Sequence, residues 1–364
     1  MDRLLNPQPI FSFPLLIVDT WLLALRRPSE AAIFNLWTAV LHVGTTVLPV
    51  ALGYDIEAVF FFLTAGVFIR FLSFAYLYRR EYLTTKLNWD WSITSSQLRY
   101  AIPLAASAII SAFILLLDRL IIASWYDTEN FAVYYNGAKE LPVVGIITGS
   151  IVSVIAPEFV RLYNRNNYPE IVRLWQSSIR KTAFILFPLS AFLFCFAEDV
   201  VTLLFSDKYA ASVPIFRIYL LLLPLRITSY GAVLRAANQT QIIFVSACLA
   251  LLLNLIFSLS LVYLIGMPGA AIGTVLAVYI TNGIQIVWAT RVLGTTIRNI
   301  FPWSNLFTLG LISACAACLA TYFTQSMNTG IVHITAGFAL FSLTAFLLNL
   351  GYPQSRHEMY SVYS

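Results

Sequence analysis

Four ionisable residues, Asp118, Arg119, Lys139 and Glu140, interrupt two otherwise apolar runs, Ala101 to Trp125 and Phe131 to Pro157. A charge near the middle of a membrane-crossing helix costs at least about 2.5–3.5 kcal/mol on insertion scales, so such residues face a protein interior or a wet cavity. The runs are joined by the acidic turn Tyr126-Asp127-Thr128-Glu129-Asn130 and read as an antiparallel helical hairpin. At ~1.5 Å per residue, Asp118 lies about 9 Å from one end of its helix and Lys139 about 12 Å along the next from the same face. Two readings stay open. Asp118 with Lys139, and Arg119 with Glu140, would form buried ion pairs that pin the helices and leave little attraction for a ligand. Alternatively, Arg119, Lys139 and the mid-segment Arg226, joined by Arg70 and Arg217, would line a wet cationic cavity. Those five cations against Asp19, Asp118 and Glu140 leave an intramembrane excess of two, the sign that holds a phosphate group, and Arg suits bidentate phosphate contacts. Arg70 and Arg217 sit nearer segment ends, where snorkelling explains them equally well.

Other reactive residues carry weaker signals. Cys315 and Cys318 form a Cys-x-x-Cys, but in an Ala-rich apolar run that spacing puts two small residues on one face for close packing rather than redox or metal chemistry. Cys195 and Cys248 are also embedded. His42 and His333 are isolated and His357 is on the tail, so no metal set emerges and no cofactor is expected. Gly269 and Gly273 have the small-xxx-small spacing of helix contacts. The stretch Phe159 to Lys181, with Trp175 and Ile179 among five cations, reads as an amphipathic surface segment near anionic lipid or as an ordinary basic loop.

The elements that must position these charges follow from composition. With 59% hydrophobic residues, 11% charged residues and a mean hydropathy of +0.80, the chain is a polytopic membrane protein. Apolar windows of the length needed to cross a bilayer fall at 31–52, 56–78, 101–124, 131–157, 213–234, 241–264, 268–290, 305–323 and 331–349. Shorter candidates at 10–25 and 182–197 bring the expected count to eleven. These runs are too long for barrel strands, so the fold class is all-α. In alternate loops one side receives fifteen Lys and Arg, the other only Arg3 and Lys208, which puts the C-terminal tail in the cytoplasm and the N-terminus outside. The first segment lacks the basic start of a signal peptide. An odd number of absent upstream helices would restore a cytoplasmic start.

Residues 22–80 read as a distant copy of 231–292: Leu25-Arg26 and Leu234-Arg235, then a helix, a turn with Gly53 or Gly266, and a second helix ending at Arg79 or Arg291. Internal repeats are common in transporters and put the substrate site at the repeat interface.

The ordered phrases Leu98-Arg99-Tyr100-Ala101-Ile102-Pro103-Leu104, Leu117-Asp118-Arg119-Leu120-Ile121-Ile122, Tyr134-Tyr135-Asn136-Gly137-Ala138-Lys139-Glu140-Leu141 and Ala156-Pro157-Glu158 continue into Leu204-Phe205-Ser206-Asp207-Lys208-Tyr209, Leu234-Arg235-Ala236-Ala237-Asn238-Gln239 and Gly266-Met267-Pro268-Gly269-Ala270-Ala271-Ile272-Gly273-Thr274. Together they resemble the polysaccharide-exporting, lipid-linked oligosaccharide flippases of the multidrug/oligosaccharidyl-lipid/polysaccharide exporter superfamily, over most of residues 20–292. The resemblance implies two six-helix lobes that open alternately to either side. On that plan residues 1–95 are a partial N-terminal lobe of three helices and 96–295 a complete lobe of six. Residues 296–364 are two extra helices and a cytoplasmic tail. Three helices are then absent at the front, the odd number that parity also asks for. The expectation is an N-terminally truncated chain or a misplaced start codon, with autonomous transport by these 364 residues in question.

The resemblance implies a transporter of the plasma (inner) membrane that flips a polyprenyl-pyrophosphate-linked oligosaccharide or polysaccharide precursor, among membrane lipids, with room for a coupling ion. Arg119, Lys139 and Arg226 would contact the pyrophosphate. An enzyme is not expected: a polymerase or glycosyltransferase acting on the same carriers would expose catalytic carboxylates or a sizeable outer domain, whereas the chain has no Asp-x-Asp and no outer connection of domain size. A multidrug exporter, the other alternative, would favour an acidic cavity for organic cations. Nucleic-acid binding is not expected, because the inner loops account for the net charge of +5.

Overall fold

Prolines mark where many of the helices begin. Pro28, Pro142, Pro169, Pro214 and Pro268 each lie in a first turn, where the missing N–H is no loss and the fixed φ favours the start. The structure, a computed structural model, describes residues 8–18, 21–22, 25, 27–82, 90–324 and 331–350. Its helices are α1 (Gln8–Ser12), α2 (Pro28–Ala51), α3 (Ile56–Tyr82), α4 (Trp91–Trp125), α5 (Thr128–Gly137), α6 (Pro142–Asn164), α7 (Tyr168–Cys195), α8 (Ala197–Phe205), α9 (Val213–Leu220), α10 (Ala232–Ala236), α11 (Thr240–Ile265), α12 (Met267–Leu293), α13 (Ile297–Ile300), α14 (Trp303–Thr324) and α15 (Ile331–Leu350). Short 3₁₀ turns occupy Phe13–Ile17, Asp207–Ser212 and Leu223–Ile227. Among the described residues there is no strand, and eight helical stretches are long and apolar enough to cross a membrane, with α5 and α6 counted as one. The chain is an all-α, multi-pass membrane protein.

The count differs from eleven for local reasons. The described residues of the 10–25 window hold α1 and a 3₁₀ turn, the 213–234 window is broken into α9, a 3₁₀ turn and the start of α10, and the 331–349 window is α15, of which His333–Thr344 counts as a shorter apolar helix. The 182–197 window is one of the eight, as the end of α7, a continuous 28-residue helix whose first half lies in the stretch expected on the surface. Its apolar face is buried in protein, not laid on lipid: Ile171, Trp175, Ile179, Ala183 and Leu186 are all 0% exposed, at the spacing of one helix face. The expected roles of Asp19, of Arg3, Arg26 and Lys86 in the loops, and of the tail with Arg356 and His357 lie outside the described residues.

The chain divides into two compact units, Met1–Asp90 and Trp91–Ser364. In the first, α2 and α3 form a hairpin whose turn contains Gly53 at φ 75°, a backbone only glycine adopts without strain. A Cβ on Gly66 would come within 2.9 Å of the Thr45 side chain, so the two helices touch closely there.

In the second unit, α11 and α12 make the corresponding hairpin around Gly266, also at φ 75°. A Cβ on Gly269 would run into the Leu261 carbonyl, and one on Gly273 would stand 2.6 Å from the Ser258 nitrogen. Without a hydrophobic force between helices in lipid, such small-residue contacts and interhelical hydrogen bonds hold the bundle. The face of α14 that packs on α7 is Ser313, Ala316, Ala317 and Ala320. Cys315 and Cys318 are exposed, with Cys318 still within side-chain hydrogen-bond reach of Cys195 on α7, and the closest packing expected of them is made by the neighbouring alanines. His333 is buried with Nδ1 2.9 Å from Asp199 Oδ1.

Candidate substrate cavity and buried carboxylate

Two of the segments expected to carry charge through the membrane, 131–157 and 213–234, are interrupted at a charge, whereas α4, which carries Asp118 and Arg119, is continuous. The run 131–157 is not one helix: α5 ends at Gly137 and α6 begins at Pro142, leaving Lys139 and Glu140 in the break. Gly137 permits the close approach of the next segment, since a Cβ there would stand 2.8 Å from Ile215 Cβ and from the Ser212 carbonyl. Ser212 Oγ in turn donates to the Val133 carbonyl at 2.7 Å. The second break runs from Leu221 to Gly231, and its 3₁₀ turn Leu223–Ile227 carries Pro224 and Arg226. Backbone groups freed at membrane depth must find partners or water. Tyr279 Oη donates to one of them, the Leu221 carbonyl, at 2.8 Å, and the buried Trp175 Nε1 anchors the same break by donating to the side-chain hydroxyl of Thr228.

The two breaks meet across a cavity of about 660 Å³. Arg226 Nη2 donates to Glu140 Oε2 at 2.9 Å, each side chain about half exposed at 47% and 46%. Lys139 also lines the cavity, with Nζ 5.7 Å from the centre of the Phe205 ring. Arg235 is the fourth charge. It lies in α10, half-buried, and donates to Ser229 Oγ at 3.1 Å. The charged lining is therefore Lys139, Arg226 and Arg235 against Glu140, an excess of two positive charges. Ser178, Thr182 and Gln285 add neutral hydrogen-bonding groups.

Asp118 lies apart from these charges and is only 2% exposed. Its Oδ2 accepts from Tyr134 Oη at 3.0 Å, from Tyr219 Oη, and from Thr274 Oγ1 at 3.4 Å, while Oδ1 takes the Arg119 backbone N–H at 2.8 Å. Tyr134 and Tyr219 are themselves 3.1 Å apart. Asn254 Nδ2 donates to Thr274 Oγ1 at 2.8 Å, and Asn254 Oδ1 is buried without a hydrogen-bond partner. Helices α4, α5, α9, α11 and α12 thus converge on one carboxylate whose hydrogen-bond donors are hydroxyls and a backbone amide. A carboxylate buried so deeply is costly unless its oxygens are hydrogen-bonded, and these four donors meet that need.

The expected ion pairs do not form. Asp118 faces the hydroxyls, and Glu140 pairs with Arg226 rather than Arg119. Matching depth on a hairpin does not fix the direction in which side chains leave the helix, and the break swings Glu140 toward the second segment. Arg119 stacks on Tyr135 at 4.6 Å, its Nε buried without a hydrogen-bond partner, and is not in the cavity lining. Arg217 donates from Nε to the Phe194 carbonyl at 3.2 Å and lies over the Phe194 ring. Arg70 belongs to the first unit, half-buried on α3, and its Nε also lacks a partner. Sequence reasoning missed Arg235 as a cavity residue, and the polar set around Asp118. A signal for the latter existed in Asn254 with Ser258, and in Ala270 with Thr274, each one helical turn apart on facing helices. Among the described residues no group of three or more His, Cys, Asp and Glu is placed to hold a metal ion.

The model of the polysaccharide biosynthesis protein family matches residues 27–214, just over half of the 364 residues, and the chain belongs to that family. It is 22% identical over 254 residues to the probable low-salt glycan biosynthesis flippase Agl15 of Haloferax volcanii. That alignment covers 69% of this chain and 53% of the relative, so the chain spans about half the length of the curated relative it matches. The fold of this chain is similar to that of a solved structure of the lipid II flippase MurJ, itself in an inward closed conformation, with a TM-score of 0.62 at 16% identity, covering 94% of this chain and 73% of that one.

Proposed function

We propose that the chain is part of a transporter that flips a lipid-linked oligosaccharide or polysaccharide precursor across the membrane by alternating access, making and breaking no covalent bond. The observation that carries this reading is the excess of cations at the two helix breaks: Lys139, Arg226 and Arg235 against Glu140 around one cavity. A polyprenyl pyrophosphate offers several anionic oxygens, and two guanidinium groups with an ammonium provide forked and point donors for them. The names of Agl15 and MurJ, both flippases, agree with that substrate class. Ser178, Thr182 and Gln285 would meet sugar hydroxyls. Asp118 takes the coupling ion, a proton or a small cation, and relays its presence to the cavity through Tyr219 and Thr274, which touch both. The loop charges orient the chain in the plasma (inner) membrane with its C-terminus in the cytoplasm.

The test is export of surface glycan in cells lacking their own flippase, complemented with the full-length gene carrying Lys139→Gln, Arg226→Gln or Arg235→Gln. Each variant is expected to cut export by about tenfold, with the precursor accumulating on the inner leaflet. Unchanged export in all three would remove the substrate assignment.

A further inference from the structure

We propose that Glu140 is a built-in competitor for the phosphate of the substrate, a carboxylate that holds Arg226 and must be displaced when substrate binds. The inference rests on the transport reading above and deepens it, since it assigns a regulatory role to the one acid among the cavity's charges. A carboxylate and a phosphate are interchangeable acceptors for a guanidinium. Glu140 Oε2 takes the Arg226 Nη2 donor at 2.9 Å, so it occupies a donor that a phosphate oxygen would use. Both side chains are about half exposed to the cavity, and a pair screened in this way is weak enough to be exchanged for a multiply charged anion.

The position of the pair gives the exchange a mechanical consequence. Glu140 stands in the break between Gly137 and Pro142, and Arg226 in the 3₁₀ turn of the second break. Their ion pair ties two backbone interruptions in which the α-helical ladder is broken and only short turn hydrogen bonds remain. Displacing Glu140 cuts that direct tie and replaces it with one through the ligand. The same competition limits affinity: a cavity with an uncontested excess of cations would hold a pyrophosphate tightly and release it slowly. Glu140 returning to Arg226 helps expel it. Lys139 and Arg235, which among the described residues pair with no carboxylate in the cavity, set the basal attraction.

The test uses the purified full chain in nanodiscs and two probes, inorganic pyrophosphate and farnesyl pyrophosphate, titrated by calorimetry against wild type, Glu140→Gln, Arg226→Gln and the double variant. Glu140→Gln is expected to bind both probes about threefold to fivefold tighter, the scale of removing a screened ion pair, and the gain should largely vanish in the Arg226→Gln background. Tighter binding confined to farnesyl pyrophosphate would assign the competition to a lipid-linked phosphate; tighter binding of both assigns it to the phosphate group itself. Glu140→Gln binding no tighter than wild type, or gaining equally with and without Arg226, overturns the competition. The substrate assignment would still stand if Arg226→Gln and Lys139→Gln weaken binding. If those two bind as wild type does, or if wild type binds neither probe, the cavity assignment fails and the competition with it.

Discussion

Asp118 and Glu140 are two carboxylates placed at membrane depth by adjoining segments, yet one is dry and the other wet. Asp118 is 2% exposed and is surrounded by the hydroxyls of Tyr134, Tyr219 and Thr274. The Glu140 side chain is 46% exposed and has a guanidinium partner across a cavity. The difference comes from the backbone beneath them. Asp118 is on a continuous helix, α4, whose main chain needs nothing further, so neighbouring helices close over the side chain and supply donors. Glu140 is on a break, where freed peptide groups require partners or water and keep the surroundings polar. On the proposed function, the same carboxylate chemistry would serve ion coupling in one place and anion exchange in the other.

The largest expected effect is on the dry side. Asp118→Ala would leave Tyr134 and Tyr219 without their acceptor and is expected to cost about 3 kcal/mol of stability, because hydrogen bonds to a charged or shared acceptor are lost together. The measurement is thermal unfolding in detergent alongside export. Asp118→Asn keeps an acceptor for the hydroxyls, so the fold should survive while export is lost. An Asp118→Asn variant that exports normally would end the coupling role and leave the dry carboxylate serving structure only.

Next comes the wet side. Arg226→Gln should lower export by about tenfold while changing the unfolding temperature little, since its partner is half exposed and screened pairs contribute only about 0–1 kcal/mol. A large loss of stability would show that the Glu140–Arg226 pair holds the breaks in place rather than exchanging with a ligand.

How much of this was legible in the sequence depends on what each feature required. The long helices were readable because apolar runs of bilayer length have few alternatives. The cavity cations Lys139 and Arg226 were also readable, because a charge inside such a run is conspicuous. The breaks were not read, although Gly137, Pro142 and Pro224 mark them, because the apolar runs continue through both. That single omission explains the wrong partners: on an unbroken hairpin Glu140 stays near Arg119, and only the interruption turns it toward Arg226. The surface reading of Phe159 to Lys181 failed differently. Its charges Arg173, Arg180 and Lys181 are real features of α7, but its apolar stripe through Trp175 and Ile179 meets the α9–α10 segment, a long-range contact that no local pattern displays.

A smaller effect separates the donors around Asp118. Tyr134→Phe removes a fully buried hydroxyl that also touches Tyr219, and should cost about 1–2 kcal/mol with export partly retained. The double variant with Tyr219→Phe should cost less than the sum of the two, because the hydroxyls share Oδ2 and each other. Strict additivity in thermal unfolding would mean that they do not act on a common carboxylate.

The smallest effect expected is at Arg217, a cation of the same apolar segment as Arg226. Arg226 is in the break and lines the cavity, whereas Arg217 is on α9, with its Nε on the Phe194 carbonyl and its guanidinium over the Phe194 ring. Arg217→Lys should leave export within about twofold of wild type, since a lysine keeps the charge and can still reach a carbonyl by snorkelling. Arg226→Lys should lose more, because an ammonium lacks the planar fork that grips two oxygens at once. Equal responses to the two conservative changes, read in the same export assay, would show that position relative to the break is irrelevant and that bulk positive charge along the segment is what matters.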